Sequence, residues 1–146
     1  MSDTQVPALD HTVHQTNVWL KKLTEDHHLG DRHHAYNALP AVLHVLRDRL
    51  TPEQAVHLGA QLPMLVRGIY YEGWRLAAKP TDERQANEFA ALVAAQLPPQ
   101  FPQDALSVTK AVFDLLWKEL DPGETAKIID TLPFPLRGLW PAVARR

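Results

Sequence analysis

Residues 62–74 read LPMLVRGIYYEGW, and residues 132–140 read LPFPLRGLW. The two stretches lie 70 positions apart and share Leu-Pro, then Arg-Gly, then a hydrophobe and an aromatic. Working outward, VLHVLRDRLTPEQAVHLGAQLPMLVRGIY (42–70) aligns without a gap on VFDLLWKELDPGETAKIIDTLPFPLRGLW (112–140). Val42 meets Val112, Leu46 meets Leu116, Leu50 meets Leu120 and Pro52 meets Pro122. Upstream, Ala35 meets Ala105, Ala41 meets Ala111 and Trp19 meets Phe89. Self-similarity at a fixed period marks a duplicated supersecondary unit whose copies bury their apolar faces on each other.

Each copy reads as helices. Ala35, Leu39, Val42, Leu46 and Leu50 form a stripe of helical period, matched by Ala105, Val112, Leu116 and Leu120. Thr51-Pro52-Glu53-Gln54 and Asp121-Pro122-Gly123-Glu124 each offer an N-cap oxygen and a proline at the first helical position. Gln54 or Glu124 stands where it can reach back to complete a capping box. The first helix of each copy is expected over about 10–28, stopped by Gly30, and about 82–97, stopped by Pro98-Pro99. The expected fold is therefore all-α: one domain over 1–146, a compact helical bundle of two pseudo-symmetric units of about 70 residues, at about 10–76 and 80–146.

Two features break local rules. Pro40 falls inside a helical stripe, where proline costs about 3 kcal/mol, so that helix is expected to start late, near Leu39, or to kink. Gly68 and Gly138 sit inside short helices whose first turns hold Pro63, Pro133 and Pro135, at about 1 kcal/mol per glycine, which predicts another backbone passing close by. Arg67 and Arg137 are expected to stack on the aromatic three residues on, or to donate to carbonyls that end a neighbouring helix. Wound as a helix, Pro63, Arg67, Tyr70 and Trp74 share one stripe, and Leu65, Val66 and Ile69 another. Arg49 and Glu119 occupy equivalent positions beside the apolar stripes and are expected to pair across the contact between copies.

The segment VLHVLRDRLTPEQAVHLGAQLPMLVRGIYYEGW (42–74) resembles a bacterial family named "domain of unknown function 2267". The resemblance rests on Leu-Arg-Asp-Arg-Leu, on Gln-Leu-Pro and on Arg-Gly-x-Tyr-Tyr-Glu-Gly-Trp. It extends over roughly 12–142, more weakly in the second half. Pro40 departs from the uninterrupted helix the family leads one to expect. The resemblance implies a small all-α domain of two similar halves and carries no activity with it.

The remaining sequence chiefly excludes functions. Net charge is −2, and residues 1–76 and 77–146 each lie near −1, so no basic arm is present to grip nucleic acid. There is no cysteine, which removes disulfides, thiolate catalysis and thiolate metal sites and makes a reducing cytoplasm the expected home. No apolar run is long enough to span a membrane, and MSDTQVPALD lacks the basic start and apolar core of a signal peptide. No G-x-S-x-G, phosphate-cradling glycine loop or H-E-x-x-H occurs, so no catalytic or metal residue and no cofactor is assigned.

All eight histidines lie in the first 57 residues. Of these, His27, His28, His33 and His34 crowd one turn, which reads first as solvated and second as an imidazole metal site. His44 winds onto the polar face of its helix. After Tyr70 the copies diverge, into Tyr71-Glu72-Gly73-Trp74 in one and Pro141-Ala142-Val143 in the other. What one copy has alone is the better candidate for function, so Arg67, Tyr70, Tyr71, Glu72 and Trp74 are the candidate binding residues, Glu72 also as an acid or base. The expected function is a non-enzymatic interaction or regulatory module that binds a protein partner or itself. The alternative is a small-molecule or metal-binding protein, or an enzyme, using the Tyr-Tyr-Glu-Gly-Trp segment or the histidine turn.

Overall fold

A proline at the first helical position forfeits no hydrogen bond, because first-turn N–H groups have no partner within the helix. Thr51-Pro52 and Asp121-Pro122 accordingly start helices, with Thr51 accepting from the Gln54 N–H at 3.3 Å and Asp121 from the Glu124 N–H at 2.9 Å. The reciprocal half of the expected box is missing from both. The Asp121 N–H donates instead to Gln61 of the other half at 3.2 Å, and Glu124 turns to Lys127. A two-way box does form at Asp31 and His34, where no proline follows the cap.

The computed structural model describes residues 4–144; residues 1–3 and 145–146, the outermost residues of the expected domain and of its second unit, lie outside the described residues. The helices are α1 (Pro7–His27), α2 (Arg32–Arg49), α3 (Pro52–Gln61), α4 (Met64–Tyr71), α5 (Ala86–Gln96), α6 (Ala105–Glu119), α7 (Pro122–Thr131) and α8 (Phe134–Arg137), followed by a 3-10 turn at Ala142–Ala144. No strand occurs among the described residues, so the fold is all-α. None of the helices described is long and apolar enough to cross a membrane.

The helix ends recur at the sequence period. α2 and α6 end at 49 and 119, α3 and α7 span 52–61 and 122–131, and α4 and α8 begin at 64 and 134. α8 stops four residues short of its counterpart, since Pro141 stands where Tyr71 ends α4. α1 lies on α2, α4 and α6, and α5 lies on α6, α2 and α8. α1 on α6 answers α5 on α2, and α3 packs on α7, whereas the contacts of α4 with α2 and α3 have no equally extensive counterpart at α8. One apolar cluster runs from Trp19 to Ala144 through both halves, with Phe113 stacked on Trp140 at 4.0 Å near its centre.

Several expectations need correction. α2 begins at Arg32, well before Pro40, because the Asp31 cap starts it, so the proline sits in mid-helix and there is no late start. Pro63 and Pro133 are the cap residues of α4 and α8 and precede the first turn. Arg49 and Glu119 do not pair: Arg49 donates to the Glu83 carbonyl at 2.7 Å, and Glu119 meets Lys22 at 2.7 Å. The pair fails because each reaches a nearer partner on the segment packed beside its own helix.

Candidate functional site

Arg67 and Arg137 take the second of their two expected roles. Arg67 donates to the carbonyls of Gly59 and Leu62 at 2.9 and 2.8 Å, and Arg137 to those of Leu132 and Asp130 at 3.1 and 2.8 Å. Both guanidinium groups thus bond carbonyls at the ends of α3 and α7, where positive charge also suits the helix dipole. Tyr70 is fully buried, and its hydroxyl donates to the Ala55 carbonyl at 2.7 Å. Burial first, and then the Tyr71 phenol beside it, push the Tyr70 hydroxyl far above its ordinary value of 10, so it stays protonated.

Tyr71 stands between Tyr70 and Trp74, with ring centroids 5.0 and 5.5 Å away. Its phenol lies against α3 at Gly59, where a Cβ would come within 2.7 Å of the Tyr71 Cζ. In the other half the corresponding residues are Ile129 and Pro141. Small-plus-large in one half thus replaces large-plus-small in the other, at conserved overall bulk. Trp74 is half-buried against this stack, and its indole Nε1 has no hydrogen-bond partner. Glu72 closes α4 with an exposed side chain whose carboxylate meets no donor among the described residues.

The predicted close approach at Gly68 is absent, since a Cβ there would meet nothing within 4 Å. Gly138 is nearly as free, its only neighbour being the Pro135 carbonyl at 3.7 Å, and its φ of −66° is open to any residue. The space beside Gly68 is a surface groove of about 750 Å³ between α1, α2 and α4. Leu9 and Val13 of α1, Tyr36 and Pro40 of α2, and Met64, Leu65 and Ile69 of α4 line it, with His44 and Glu72. Leu9, Val13, Tyr36, Met64 and Leu65 remain 39–53% exposed, so five of the eight large apolar side chains left exposed among the described residues of this half gather at one place.

Two contacts hold the groove's shape. His44 Nε2 lies 2.7 Å from the Ile69 carbonyl and must be the donor there, tying α2 to α4. Arg47, only 4% exposed, donates from Nη1 to the carbonyls of Tyr70 and Glu72 at 2.8 and 2.9 Å. Its Nε binds Asp48 at 2.9 Å, and the Asp48 carbonyl takes the Thr81 N–H of the following linker at 2.9 Å. Arg47 therefore positions the backbone that carries Glu72.

A second cleft, of about 430 Å³, is lined by Lys110, Asp114, Gly138 and Leu139. These lie 70 positions after Pro40, His44, Gly68 and Ile69, so the glycine of each half lines a cleft. The second cleft is polar where the first is apolar. Asp114 accepts from His27 Nε2 and from Lys118 Nζ, both at 2.9 Å.

Of the five candidate binding residues, Glu72 alone lines the groove; Tyr71 and Trp74 pack against the core, Arg67 serves the end of α3, and Tyr70 is buried against Ala55 near its start. The histidine turn is dispersed. His27 reaches Asp114, His28 is the left-handed cap of α1, His33 is exposed and His34 caps α2 against Phe101. Among the described residues no three His, Asp or Glu side chains are grouped to hold a metal ion. Sequence reasoning missed Leu9, Val13, Tyr36 and Met64. Its first helix began too late to include Leu9, and Leu65 was grouped with the core-facing Val66.

A family described as "Uncharacterized conserved protein (DUF2267)" matches residues 16–139. The chain belongs to this family. The DUF2267 match spans both halves and includes α2 to α7 entire, so it takes in the α2 and α4 walls of the groove and the second cleft up to Gly138 and Leu139. Leu9 and Val13, on the outer wall of the groove, lie before the matched residues. No curated protein matches the chain.

Proposed function

We propose that this DUF2267 member is a non-enzymatic interaction module whose docking surface for a protein partner is the groove between α1, α2 and α4. One observation carries the reading: Pro40 and Gly68, the interior residues least suited to α2 and α4, both line this groove. Proline in mid-helix costs about 3 kcal/mol and glycine about 1 kcal/mol, and residues that break local rules without a packing reason concentrate at functional sites. Glycine keeps the groove floor open. The groove has no nucleophile–base pair, and its polar groups are few, which suits adhesion and not bond chemistry.

On the same footing we read the chain as a duplicated unit of about 70 residues within one bacterial, cytoplasmic domain that does not bind nucleic acid. The test is a photo-crosslinking side chain at Met64, on the groove, compared with one at Val56, equally exposed but outside it. In the native host the Met64 probe should yield a discrete protein adduct that Val56 does not, and filling the floor with Gly68→Leu should abolish it. Equal adducts from both positions would refute the reading.

A second reading has its own observation. Gln103 and Trp140 line the polar cleft, and Gln103 Oε1 and Trp140 Nε1 are buried without partners. A small polar ligand there would offer them partners. Adding small hydroxy acids, whose hydroxyl can donate to Gln103 Oε1 while the carboxylate accepts from Trp140 Nε1, should then move the Trp140 indole resonance in wild type and not in Lys110→Ala; an unmoved resonance removes this reading.

A further inference from the structure

We infer that the groove receives a short amphipathic helix of another protein, apolar along one face and carrying a lysine or arginine where that face reaches Glu72. The inference rests on the reading of the groove as a docking surface and adds what docks there. The length of the groove comes first. Tyr36 and His44 on α2, and Met64 and Glu72 on α4, are eight residues apart along each wall. At 1.5 Å per residue each wall runs about 12 Å, a little over two turns. That is the span over which a helix displays apolar anchors at i, i+4 and i+7.

Backbone chemistry selects a helix over an extended peptide. The walls are helices, and no strand edge exists among the described residues. An extended segment would lose water from its N–H and C=O groups and find no ladder to replace it, whereas a helix brings its own hydrogen bonds. The empty space at Gly68 is a seat for one large apolar side chain of the incoming helix. A small molecule filling that seat would leave the exposed rim of Leu9, Val13 and Met64 in water. Charge completes the description. Among the described residues Glu72 is the only Asp, Glu, Lys or Arg in the lining and its carboxylate meets no donor, and Arg47 fixes the backbone beneath it. A cation on the partner satisfies it, and an anion is repelled.

The test uses two designed peptides of about 18 residues, long enough to populate a helix, with leucine at the anchor positions and either lysine or glutamate at the end facing Glu72. Binding is read by fluorescence anisotropy against the full chain, Gly68→Leu and Glu72→Lys, with circular dichroism confirming that each variant is folded. The lysine peptide should bind wild type about five- to tenfold tighter than the glutamate peptide, and Glu72→Lys should reverse the order. Gly68→Leu should weaken both by at least about tenfold. Equal binding of the two peptides to wild type overturns the inference. So does failure of both while dodecanoate binds, or while sedimentation shows a dimer that Gly68→Leu dissolves; in those two outcomes the groove still docks something. If Gly68→Leu alters neither peptide binding, nor dodecanoate binding, nor sedimentation, the docking reading itself falls.

Discussion

The phenol of Tyr71 occupies the space that a side chain at residue 59 would need, so Gly59 and Tyr71 form one packing unit that joins α3 to the end of α4. Gly59→Ala should therefore destabilise by about 1–3 kcal/mol, as overpacking of a rigid seam does, although alanine is the better helix former. Gly59→Ala/Tyr71→Ala should lose less than the sum of the two single losses, because the collision is gone. Urea unfolding of the three variants checks this. Additive losses would mean that the two residues are not coupled.

The arginines should separate by burial. Arg47→Ala leaves the Tyr70 and Glu72 carbonyls without their charged donor and should lose about 2–4 kcal/mol. Arg67→Ala and Arg137→Ala remove bonds to helix-end carbonyls nearer water and should lose about 1 kcal/mol each. Glu72→Gln, exposed and without a bonded partner, should stay within about 0.5 kcal/mol of wild type yet weaken capture at the groove. A Glu72→Gln protein as unstable as Arg67→Ala would make this segment structural.

Acid should loosen the helix starts. Asp104 accepts from the Ser107 N–H at 2.9 Å and its hydroxyl at 2.8 Å, which holds its carboxyl below the ordinary 3.8. The Arg84 and Gln85 N–H groups hold Glu88 below 4.5, and the His34 N–H does the same for Asp31. A carboxyl whose pKa is lower in the folded state adds stability that is complete above its unfolded pKa and lost as pH falls through its folded one. The Tm should be level with respect to these groups from about pH 6 to 5 and fall below about pH 4. Asp104→Asn, which keeps an acceptor but no charge, should make that acid slope shallower; an unchanged slope would exclude the cap as its source.

The fold was legible in the sequence because its determinants are local. Thr51-Pro52 and Asp121-Pro122 start helices wherever they stand, and α3 and α7 begin at those prolines. The period of 70 predicts that residues 35–70 superpose on 105–140. Pro40 misled because its own penalty is local whereas the cap that overrides it, Asp31, stands nine residues earlier. Most of the groove was illegible for a different reason. An apolar residue on a helix looks the same whether it meets a core or water, so Leu65 and Met64 could not be told from Val66 and Leu58. Glu72 was found because it breaks the repeat, and that signal requires no knowledge of packing.

Pro40 and Gly68 together give the sharpest test of whether the groove was shaped for use. Pro40→Ala restores a helical N–H and removes the ring clash in mid-helix, a gain of up to about 3 kcal/mol, reduced by about 1 kcal/mol through the freer unfolded chain. Gly68→Ala should gain about 0.5–1 kcal/mol, since its Cβ would meet nothing within 4 Å. Either change should thus raise the urea midpoint, in contrast to Gly59→Ala. Both residues line the groove, so both substitutions should also weaken the Met64 crosslink, because a methyl group at residue 68 reduces the seat and loss of the Pro40 ring changes its wall. Greater stability bought at the expense of binding is the pattern expected where a local rule is broken for function. Stabilised variants that crosslink as wild type does would show that Pro40 and Gly68 are tolerated accidents of sequence and that the docking surface lies elsewhere.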